Sequence, residues 1–376
     1  MSYKPRDVYR GRRKFKVPLT IFLFVVAGVL VVSVGLFYGL QQYLVYDQNG
    51  VTLQLPFSGQ SKTGEQAAVA TPQGTAAPDA VQVDVVYQNP DFSDINLTVG
   101  QNLSSIKAFY IGYEDVVSST ALSAKASTAK AQGCTSLIME MKTQSGQLAW
   151  SSKTDTAVAY GTGGTEDFTD TVSSLHKQGF TVAAQISCCA DTLLATRNWT
   201  IALQNSAGAP YVDDNGVYWL DPYNHAVRDY LIGLMKELGA MGFDEIILAD
   251  LYHPINKDGF RYTVTLQTDP SPVAAVCQLA RKLAEAMDSS KVTLSALISD
   301  SSLRNDLSTS TGQDLSIFWK LFDRLYCLTD TDNASSDLEK AGSFLPNGDT
   351  TNRFVPECYY HTPNGFDSWA LVVPSN

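Results

Sequence analysis

The sequence lacks several features that mark metal and nucleotide sites. Only four histidines occur in its 376 residues, and no spacing of cysteine and histidine matches a zinc site. The first apolar strand runs into Ile111-Gly112-Tyr113-Glu114, where a nucleotide-binding sheet would carry a glycine-rich phosphate loop. We therefore predict no metal and no cofactor.

Positive charge is scarce beyond the N-terminus. The chain carries a net charge of −11, although residues 1–16 alone hold seven basic residues and one acidic residue. Removing the six net positive charges of that segment leaves −17 on the remainder. Such an acidic surface argues against nucleic acid and anionic polymers as partners, and it suits neutral sugars or cationic groups.

One segment has no charged residue at all. Val17 to Leu40 gives 24 uncharged positions, more than the roughly 20 that cross the hydrocarbon core of a bilayer. The basic residues before it predict that residues 1–16 form a cytoplasmic tail and that the rest is exported. A cleavable signal peptide is the alternative, but Gln41-Gln42-Tyr43-Leu44 offers no small-residue cleavage site. We expect a single-pass transmembrane helix that anchors an extracellular domain in the cell membrane.

Residues 41–105 are predicted to form a tether with short β segments. Strand-like residues occur from Val51 to Phe57 and from Val81 to Tyr87. Between them, Ser58 to Ala80 is rich in Gly, Ser, Thr, Ala, Gln and Pro, a composition that cannot bury a core and behaves as a flexible linker. The folded domain is therefore expected to occupy residues 106–376.

From Ile106 onward, apolar strands alternate with amphipathic helices, as in α/β architecture. Eight strands are predicted: Ile106–Tyr113, Thr135–Lys142, Thr181–Cys188, Glu245–Asp250, Lys291–Ser299, Arg324–Thr329, Arg353–Tyr359 and Trp369–Val373. A doubly wound open sheet is the rival fold. Eight strands without a nucleotide fingerprint favour a (β/α)8 TIM-like barrel.

The segment from Tyr218 to Pro254 is the most informative of these α/β units. Apolar residues three and four apart predict a helix that opens at Asp221-Pro222 and ends at Gly242. The next strand runs into Asp250 and His253-Pro254, and barrels of this type place their chemistry at the carboxyl ends of the strands. The long connection before this strand is expected to make an irregular excursion over the barrel mouth.

Three strand motifs occur in an order that resembles a known family. MEMK at residues 139–142 precedes Ser145-Gly146, AQISCCAD occupies residues 184–191, and DEIILADLYHP occupies residues 244–254 after WLDP at 219–222. From residue 106 to about residue 365, the chain resembles uncharacterised bacterial barrel domains classed as glycoside hydrolases, distantly similar to the α-amylase superfamily. The resemblance implies cleavage of cell-envelope or extracellular polysaccharide by paired carboxylates, without a cofactor.

Two positions depart from the family pattern. Ala249 stands where the fourth-strand aspartate is expected, and Asp250 comes one residue later. Because side chains alternate along a strand, Asp250 is expected to point to the opposite face unless a bulge re-aims it. The third-strand arginine of the pattern is Gln185, and the lysine after it is Ala190. The alternative is therefore a catalytically inactive protein that binds carbohydrate or acts as an envelope scaffold.

Glycoside cleavage needs one protonated and one ionised carboxyl group beside the scissile bond. Asp250 and Glu357, at the exits of the fourth and seventh strands, are the preferred catalytic pair, and Glu140 on the second strand is a third candidate. Neighbouring polar and aromatic residues are predicted to bind the sugar: Tyr113, Lys142, Gln185, Trp219, Asp221, Tyr252, His253, Asp300, Tyr359 and His361.

Structural roles compete for several of these residues. Glu140 and Lys142, two apart on a strand, could form a buried ion pair inside the barrel. Asp221 before a proline suits the N-cap of the next helix. His253 could be a structural histidine with its hydrogen bonds satisfied, and Asp191 could cap the turn after the third strand. These alternatives stay open at the level of sequence.

The six cysteines of an exported chain raise the question of disulfides. Cys188-Cys189 is a vicinal pair at a strand end, where either a redox or a packing role is open. The other four lie in apolar elements, where a thiol packs as a small hydrophobe: Cys134, Cys277, Cys327 and Cys358.

Overall fold

The computed structural model of the protein describes residues 44–47, 50–53, 91–255, 259–263, 270–305, 307–345 and 348–373. The predicted anchor at 17–40, the linker at 58–80 and the strand-like segment at 81–87 lie outside these ranges. Within the ranges, no helix has both the length and the apolarity of a membrane span.

The chain divides into two compact units, Met1–Val81 and Gln82–Asn376. In the first unit, β1 (Leu44–Asp47) pairs antiparallel with β2 (Gly50–Leu53). The predicted strand that begins at Val51 overlaps β2, whereas the sequence pattern predicts no strand at β1.

The second unit contains a closed barrel of eight parallel strands. They are β3 (Lys107–Ile111), β4 (Ser136–Lys142), β5 (Thr181–Ser187), β6 (Glu245–Ala249), β7 (Thr293–Ile298), β8 (Arg324–Thr329), β9 (Phe354–Tyr359) and β10 (Trp369–Val372). Each strand pairs with its neighbours in sequence, and β10 closes the ring on β3 with Trp369 opposite Lys107. The predicted barrel and all eight of its strands are confirmed.

Helices occupy most of the connections. They are α1 (Tyr113–Val116), α2 (Ser119–Ala131), α3 (Asp155–Tyr160), α4 (Thr169–Lys177), α5 (Thr192–Arg197), α6 (His225–Ala240), α7 (Pro272–Met287), α8 (Asp300–Leu303), α9 (Ser308–Thr311), α10 (Leu315–Leu321) and α11 (Ala334–Gly342). Helix α7 begins at Pro272, because the Ser271 side chain caps its first turn and proline fits the first helical position.

The helix predicted to open at Asp221-Pro222 begins later than expected. Helix α6 starts at His225, and the side chain of Asn224 caps it by accepting a hydrogen bond from Ala226 N. Gly242, with φ of +94°, follows the helix end in the left-handed conformation that the sequence predicts. The prediction of Asp221 as the N-cap is wrong, because this carboxylate is engaged by another loop.

The connection from Cys189 to Asp244 has the irregular course expected for it. Helix α5, a short 3-10 helix at Trp199–Ile201 and several isolated bridges precede α6. One bridge joins Ala190 to Trp219, so the excursion returns to the exit of β5 before α6 begins. This connection therefore lies against the end of the barrel where the strands finish.

Strand alternation and pairing register stack the inward-facing residues of the barrel in layers. The lower end holds a polar network in which Glu245 accepts hydrogen bonds from Ser295 at 2.6 Å and from Tyr326 at 3.0 Å. Arg324 pairs with the same carboxylate at 2.9 Å. Smaller and apolar residues fill the layers above it: Ala108, Ile138, Ala183, Ile247, Val355 and Ala370. The barrel is thus filled below its upper rim.

Candidate active site at the barrel mouth

Asp250 leaves strand β6 in a left-handed backbone conformation. Its φ is +51°, a region that aspartate visits more readily than most residues and that ends the alternation of a strand. Cys189 N still donates to the Asp250 carbonyl oxygen at 3.1 Å, so the main chain stays beside the β5 exit while the side chain turns. The prediction that Asp250 points to the opposite face is therefore wrong. Its left-handed backbone, and not a bulge, redirects its side chain.

Neighbouring polar groups surround the Asp250 carboxyl group. Gln144 Nε2 donates to its Oδ1 at 3.0 Å, and Ser187 Oγ lies 2.6 Å from its Oδ2. The residue is 9% exposed. Burial raises the pKa of the Asp250 carboxyl group, while hydrogen bonds from Ser187 and Gln144 and the charge of Lys142 oppose that rise. The carboxyl group is thus oriented by the protein and largely withdrawn from water.

A cavity of about 400 Å³ opens beside Asp250. Its lining comes from the ends of β6 to β9 and the residues that follow them: Asp250, Tyr252, Leu297, Ile298, Ser299, Asp300, Arg304, Leu328, Thr329, Asp330 and Tyr359. This volume falls in the range of small-ligand sites, and tyrosine rings suit the C–H faces of a sugar. A cavity of about 440 Å³, lined by residues of α2 and α4, contains none of the predicted site residues. The barrel mouth is therefore the candidate site.

Glu357 lies in the layer directly beneath the mouth. Register and alternation place it with Tyr110, Gln185 and Leu297, and Leu297 lines the cavity. Glu357 is 4% exposed, and in the described part of the chain its Oε1 has no hydrogen-bond partner. Burial raises the pKa of Glu357 to about 7. This carboxyl group therefore holds a proton more strongly than an ordinary glutamate.

Glu140 connects the exits of β3 and β4. Its Oε2 accepts a hydrogen bond from Tyr113 N at 2.9 Å, and its carboxylate also bonds the Tyr110 hydroxyl. Burial raises the pKa of Tyr110, and the charges of Glu140, Glu357 and Asp250 raise it further. Because the charges of all three carboxyl groups raise the pKa of the same Tyr110 hydroxyl group, the three predicted catalytic acids lie near one end of the barrel.

Lys142 does not pair with Glu140. Its ammonium lies 2.9 Å from Asp191 Oδ2 and donates to the Ser187 carbonyl oxygen at 2.7 Å, with the Lys142 and Asp191 side chains fully buried. The pairing register of β4 shifts between Glu140 and Lys142, so the two no longer share a strand face. Asp191 also accepts from Leu194 N at 2.8 Å and caps α5, as expected. The predicted Glu140–Lys142 pair is wrong, and Lys142 is enclosed behind Asp250 instead of facing a ligand.

Gly146 lets the turn after β4 approach Asp191. Its φ is +92°, and a Cβ at this position would lie 2.1 Å from Asp191 Oδ1. The same turn carries Gln144, whose carbonyl oxygen accepts from Thr192 N at 3.1 Å. A glycine is therefore required where the Gln144 turn and the start of α5 meet.

Three other predicted sugar ligands are buried within the protein. Asp221 accepts hydrogen bonds from Thr263 N at 2.7 Å and from Thr263 Oγ1 at 2.6 Å, which join the loop after β6 to the third connection of the barrel, Cys189 to Asp244. Trp219 Nε1 donates to Asp213 at 3.2 Å. His253 Nε2 lies 3.2 Å from the Tyr262 hydroxyl, and burial lowers the pKa of His253 to about 4. In the structure these three residues bond to other parts of the protein and do not line the cavity, and their contact with sugar stays a prediction.

The remaining predicted ligands divide between the rim, the floor and the surroundings. Tyr252, Asp300 and Tyr359 line the cavity. Gln185 belongs to the floor layer, and its buried Oε1 lacks a partner among the described residues. Tyr113 begins α1, and His361 is an exposed residue just past Tyr359; neither belongs to the cavity lining.

Sequence reasoning missed three residues of the mouth. Arg304 lines the cavity and pairs with Asp300 and Asp337. Gln144 and Ser187 hydrogen-bond to Asp250, and the turn that carries Gln144 has no sequence pattern that distinguishes it. A usable signal was the position of Ser187 two residues after Gln185, which directs both to the same face of β5.

In the part of the chain that the structure describes, the cysteines form no disulfide, and the acidic groups form no metal cluster. All six thiols are buried and free. Burial raises the pKa of both Cys188 and Cys189, which favours the packing role over thiolate chemistry. Among the residues that the structure describes, no group of three or more His, Cys, Asp or Glu side chains is arranged to hold a metal ion.

Similarity to known sequences assigns this barrel to a family. A sequence model of a protein family described as "Putative glycosyl hydrolase domain" (DUF4015) matches residues 108–327, more than half of the chain. The chain belongs to this family. The match extends from β3 to β8, so it includes Glu140 and Asp250 and stops before Glu357. Among curated proteins, no sequence matches this chain.

Solved structures share the barrel at low sequence identity. The glycoside hydrolase domain of PgaB (BpsB) from Bordetella bronchiseptica is similar over 72% of this chain and 94% of that domain, with 9% identity and a TM-score of 0.51. A hypothetical protein from Ruminiclostridium thermocellum is 23% identical over 50% of this chain and 96% of its own, with a TM-score of 0.44. An α-galactosidase from Lactobacillus brevis covers 72% of this chain and 38% of its own at 13% identity and a TM-score of 0.45. The first of these supports the fold alone.

Proposed function

We propose that this protein hydrolyses glycosidic bonds of a cell-envelope or extracellular polysaccharide, with Asp250 and Glu357 as its two carboxyl groups. The observation that carries the proposal is the Asp250 carboxyl group, turned by its left-handed backbone towards a cavity that two tyrosine rings also line. Membership of a glycosyl hydrolase family supports the reaction class. Two carboxyl groups suffice for this reaction, so the proposal needs no cofactor.

The two carboxyl groups differ in the way that acid and base roles require. Glu357 has a pKa raised to about 7 by burial, so it can hold a proton near neutral pH and give it to the leaving oxygen. Burial raises the pKa of Asp250 as well, but Asp250, unlike Glu357, receives hydrogen bonds from Ser187 and Gln144 and lies near the charge of Lys142, which oppose that rise and favour its ionised form. Asp250 is therefore the group that stabilises or activates the attack on the anomeric carbon.

The proposal also places the barrel outside the cell on a single membrane anchor. Its support is the uncharged run at 17–40 behind a basic segment and the acidic remainder of the chain. Protease added to intact cells should remove the barrel domain from the cell-bound fraction. If the domain is cut only after the cells are lysed, the proposed orientation is wrong.

The catalytic proposal is tested with the full-length protein on cell-wall and glucan polysaccharides, by release of reducing ends. Asp250→Asn and Glu357→Gln should each lower turnover by about 100-fold or more, because each removes proton transfer or charge stabilisation. The matched control is Glu339→Gln on α11, an exposed glutamate outside the cavity, which should retain wild-type turnover. Unchanged turnover in both site variants would exclude Asp250 and Glu357 as the pair.

A non-catalytic carbohydrate-binding or scaffold protein is the second candidate. The observations that favour it are Ala249 at the position expected for the strand aspartate and the enclosure of Glu357 beneath the cavity floor. A glycan array should then show binding without released product. That binding should persist in Asp250→Asn and Glu357→Gln, whereas product release from any bound glycan would favour the hydrolase.

A further inference from the structure

Ser187 makes two contacts that one hydroxyl group cannot donate at the same time. Its Oγ lies 2.8 Å from the Ala190 carbonyl oxygen and 2.6 Å from Asp250 Oδ2. A serine hydroxyl has one proton to donate and two lone pairs with which to accept. The carbonyl oxygen can only accept, so when Ser187 donates to Ala190, its short contact with Asp250 is a hydrogen bond only if Asp250 carries the proton.

A second hydrogen-bond arrangement applies when Asp250 is ionised. Ser187 then donates to Asp250 Oδ2, and the Ala190 carbonyl oxygen no longer receives a hydrogen bond from Ser187. Lys142 Nζ lies 3.5 Å from the Ala190 carbonyl oxygen and also donates to the Ser187 carbonyl oxygen at 2.7 Å. The Lys142 ammonium also lies at ion-pair distance, 2.9 Å, from Asp191 Oδ2. Both arrangements therefore leave the Ala190 carbonyl oxygen with a donor, and neither requires a heavy atom to move.

We propose that the Ser187 hydroxyl group donates its hydrogen bond either to the Ala190 carbonyl oxygen or to Asp250, so that Asp250 can gain or lose a proton without moving, and that Lys142 is a positioning residue. When Asp250 is ionised, Lys142 donates to the Ala190 carbonyl oxygen in place of Ser187. The idea rests on the proposed function in one respect, namely that Asp250 is the carboxyl group that faces the sugar. It goes beyond that function by assigning roles to two side chains that lie behind the carboxyl group and outside the cavity lining.

The charged and titratable groups around Asp250 identify Lys142 as the one to change. Lys142 comes from β4, Tyr110 from β3 and Asp213 from the third connection. Tyr252 and the Cys188-Cys189 pair approach from the exits of β6 and β5. Arg304 lines the same cavity as Asp250 but pairs with Asp300 and Asp337. Lys142 is the positive group behind the Asp250 carboxyl group, so its removal should favour the protonated form of Asp250.

The test measures the pKa of Asp250 directly, by infrared titration of the full-length protein labelled with carboxyl-13C aspartate. The band that disappears in Asp250→Asn identifies the group. Ser187→Ala and Lys142→Met should each raise the pKa of Asp250 by about one unit or more, because the hydrogen bond that Ser187 donates to the carboxylate is stronger than the one it accepts from the protonated form, and Lys142 supplies a positive charge. Ser187→Thr keeps the hydroxyl group and should leave the pKa of Asp250 within about 0.3 of the wild-type value.

Lys125→Met is the matched lysine control. Lys125 pairs with Asp115 at 3.2 Å and lies on α2, outside the cavity lining, so its loss should leave the Asp250 titration unchanged. A change of less than about 0.3 in the pKa of Asp250 in both Ser187→Ala and Lys142→Met would overturn the proposal. If Lys142→Met fails to fold, the Ser187→Ala and Ser187→Thr pair decides alone.

The titration also separates this proposal from the proposed function. If the pKa of Asp250 responds as expected while no polysaccharide is cleaved, the roles of Ser187 and Lys142 stand and the hydrolase assignment fails. If polysaccharide is cleaved while the pKa of Asp250 is unchanged in Ser187→Ala and Lys142→Met, the hydrolase assignment stands and the roles of Ser187 and Lys142 are wrong.

Discussion

Replacing Glu357 with glutamine should change how the stability of the protein depends on pH. Burial raises the pKa of Glu357 from 4.5 to about 7 in the folded state. Between these values the folded state binds more protons than the unfolded state, so rising pH favours unfolding. The stability that protonated Glu357 allows is fully present below about pH 4.5 and is lost as pH rises through about 7.

The size of this loss follows from the two pKa values. One pKa unit corresponds to about 1.4 kcal/mol, so the interval from 4.5 to about 7 corresponds to about 3 kcal/mol at pH 8. Roughly 1.5 kcal/mol of this is already lost at about pH 5.5, because the unfolded glutamate ionises first. The variant has no ionisation at this position, and its own burial cost is the same at both pH values.

Urea unfolding of the full-length protein at about pH 5.5 and about pH 8 measures this difference. The free energy of unfolding of Glu357→Gln, relative to wild type, should rise by about 2 kcal/mol between the two conditions. Glu339→Gln, which changes an exposed glutamate on α11, should show the wild-type dependence. Equal pH dependence in wild type and Glu357→Gln would refute the account of Glu357 as a buried carboxyl group whose Oε1 has no hydrogen-bond partner among the described residues.

Three further outcomes are expected. Gly146→Ala should lower the free energy of unfolding by about 2 kcal/mol or more, because its Cβ would lie 2.1 Å from Asp191 Oδ1 at a φ of +92°; a loss below about 0.5 kcal/mol in urea unfolding would contradict this. Burial lowers the pKa of His253 to about 4, so as pH falls below 6.5 the unfolded state binds a proton that the folded state does not, and the wild-type protein loses stability. His253→Gln should remove this loss. Urea unfolding between about pH 6.5 and 5 measures how the free energy of unfolding changes with pH in both proteins. Thiol reagent should label the six buried cysteines only after denaturation, and rapid labelling of the native protein would argue against their burial.

Much of the fold could be predicted because its signals are local. Parallel strands buried on both faces, such as Glu245–Ala249, form continuous apolar runs that sequence reasoning detects. The stripe of helix α7 and its Ser271-Pro272 start likewise follow from period and capping chemistry. These patterns fix which residues form strands and helices, and the absence of a phosphate loop then favours a closed ring.

The site could be predicted only as a set of candidates. The left-handed conformation of Asp250 depends on how β6 passes the β5 exit, and strand alternation alone predicts the wrong face. Asp221 has the sequence of an N-cap, but Thr263, 42 positions away, takes its carboxylate. Lys142 is near Glu140 in sequence, yet the register shift gives it to Asp191. Each of these outcomes is decided by contacts between segments that no local pattern links.

The polar network at the base of the barrel limits access to Glu357 from that end. Glu245, Arg324, Ser295 and Tyr326 close that end, and the apolar layers above them fill the described interior. Under the proposed function, a glycan could not pass along the barrel axis, so substrate would enter and product would leave through the one opening at the mouth. Glu357 would then regain a donated proton through that same opening, and a product that stays bound would delay its reprotonation.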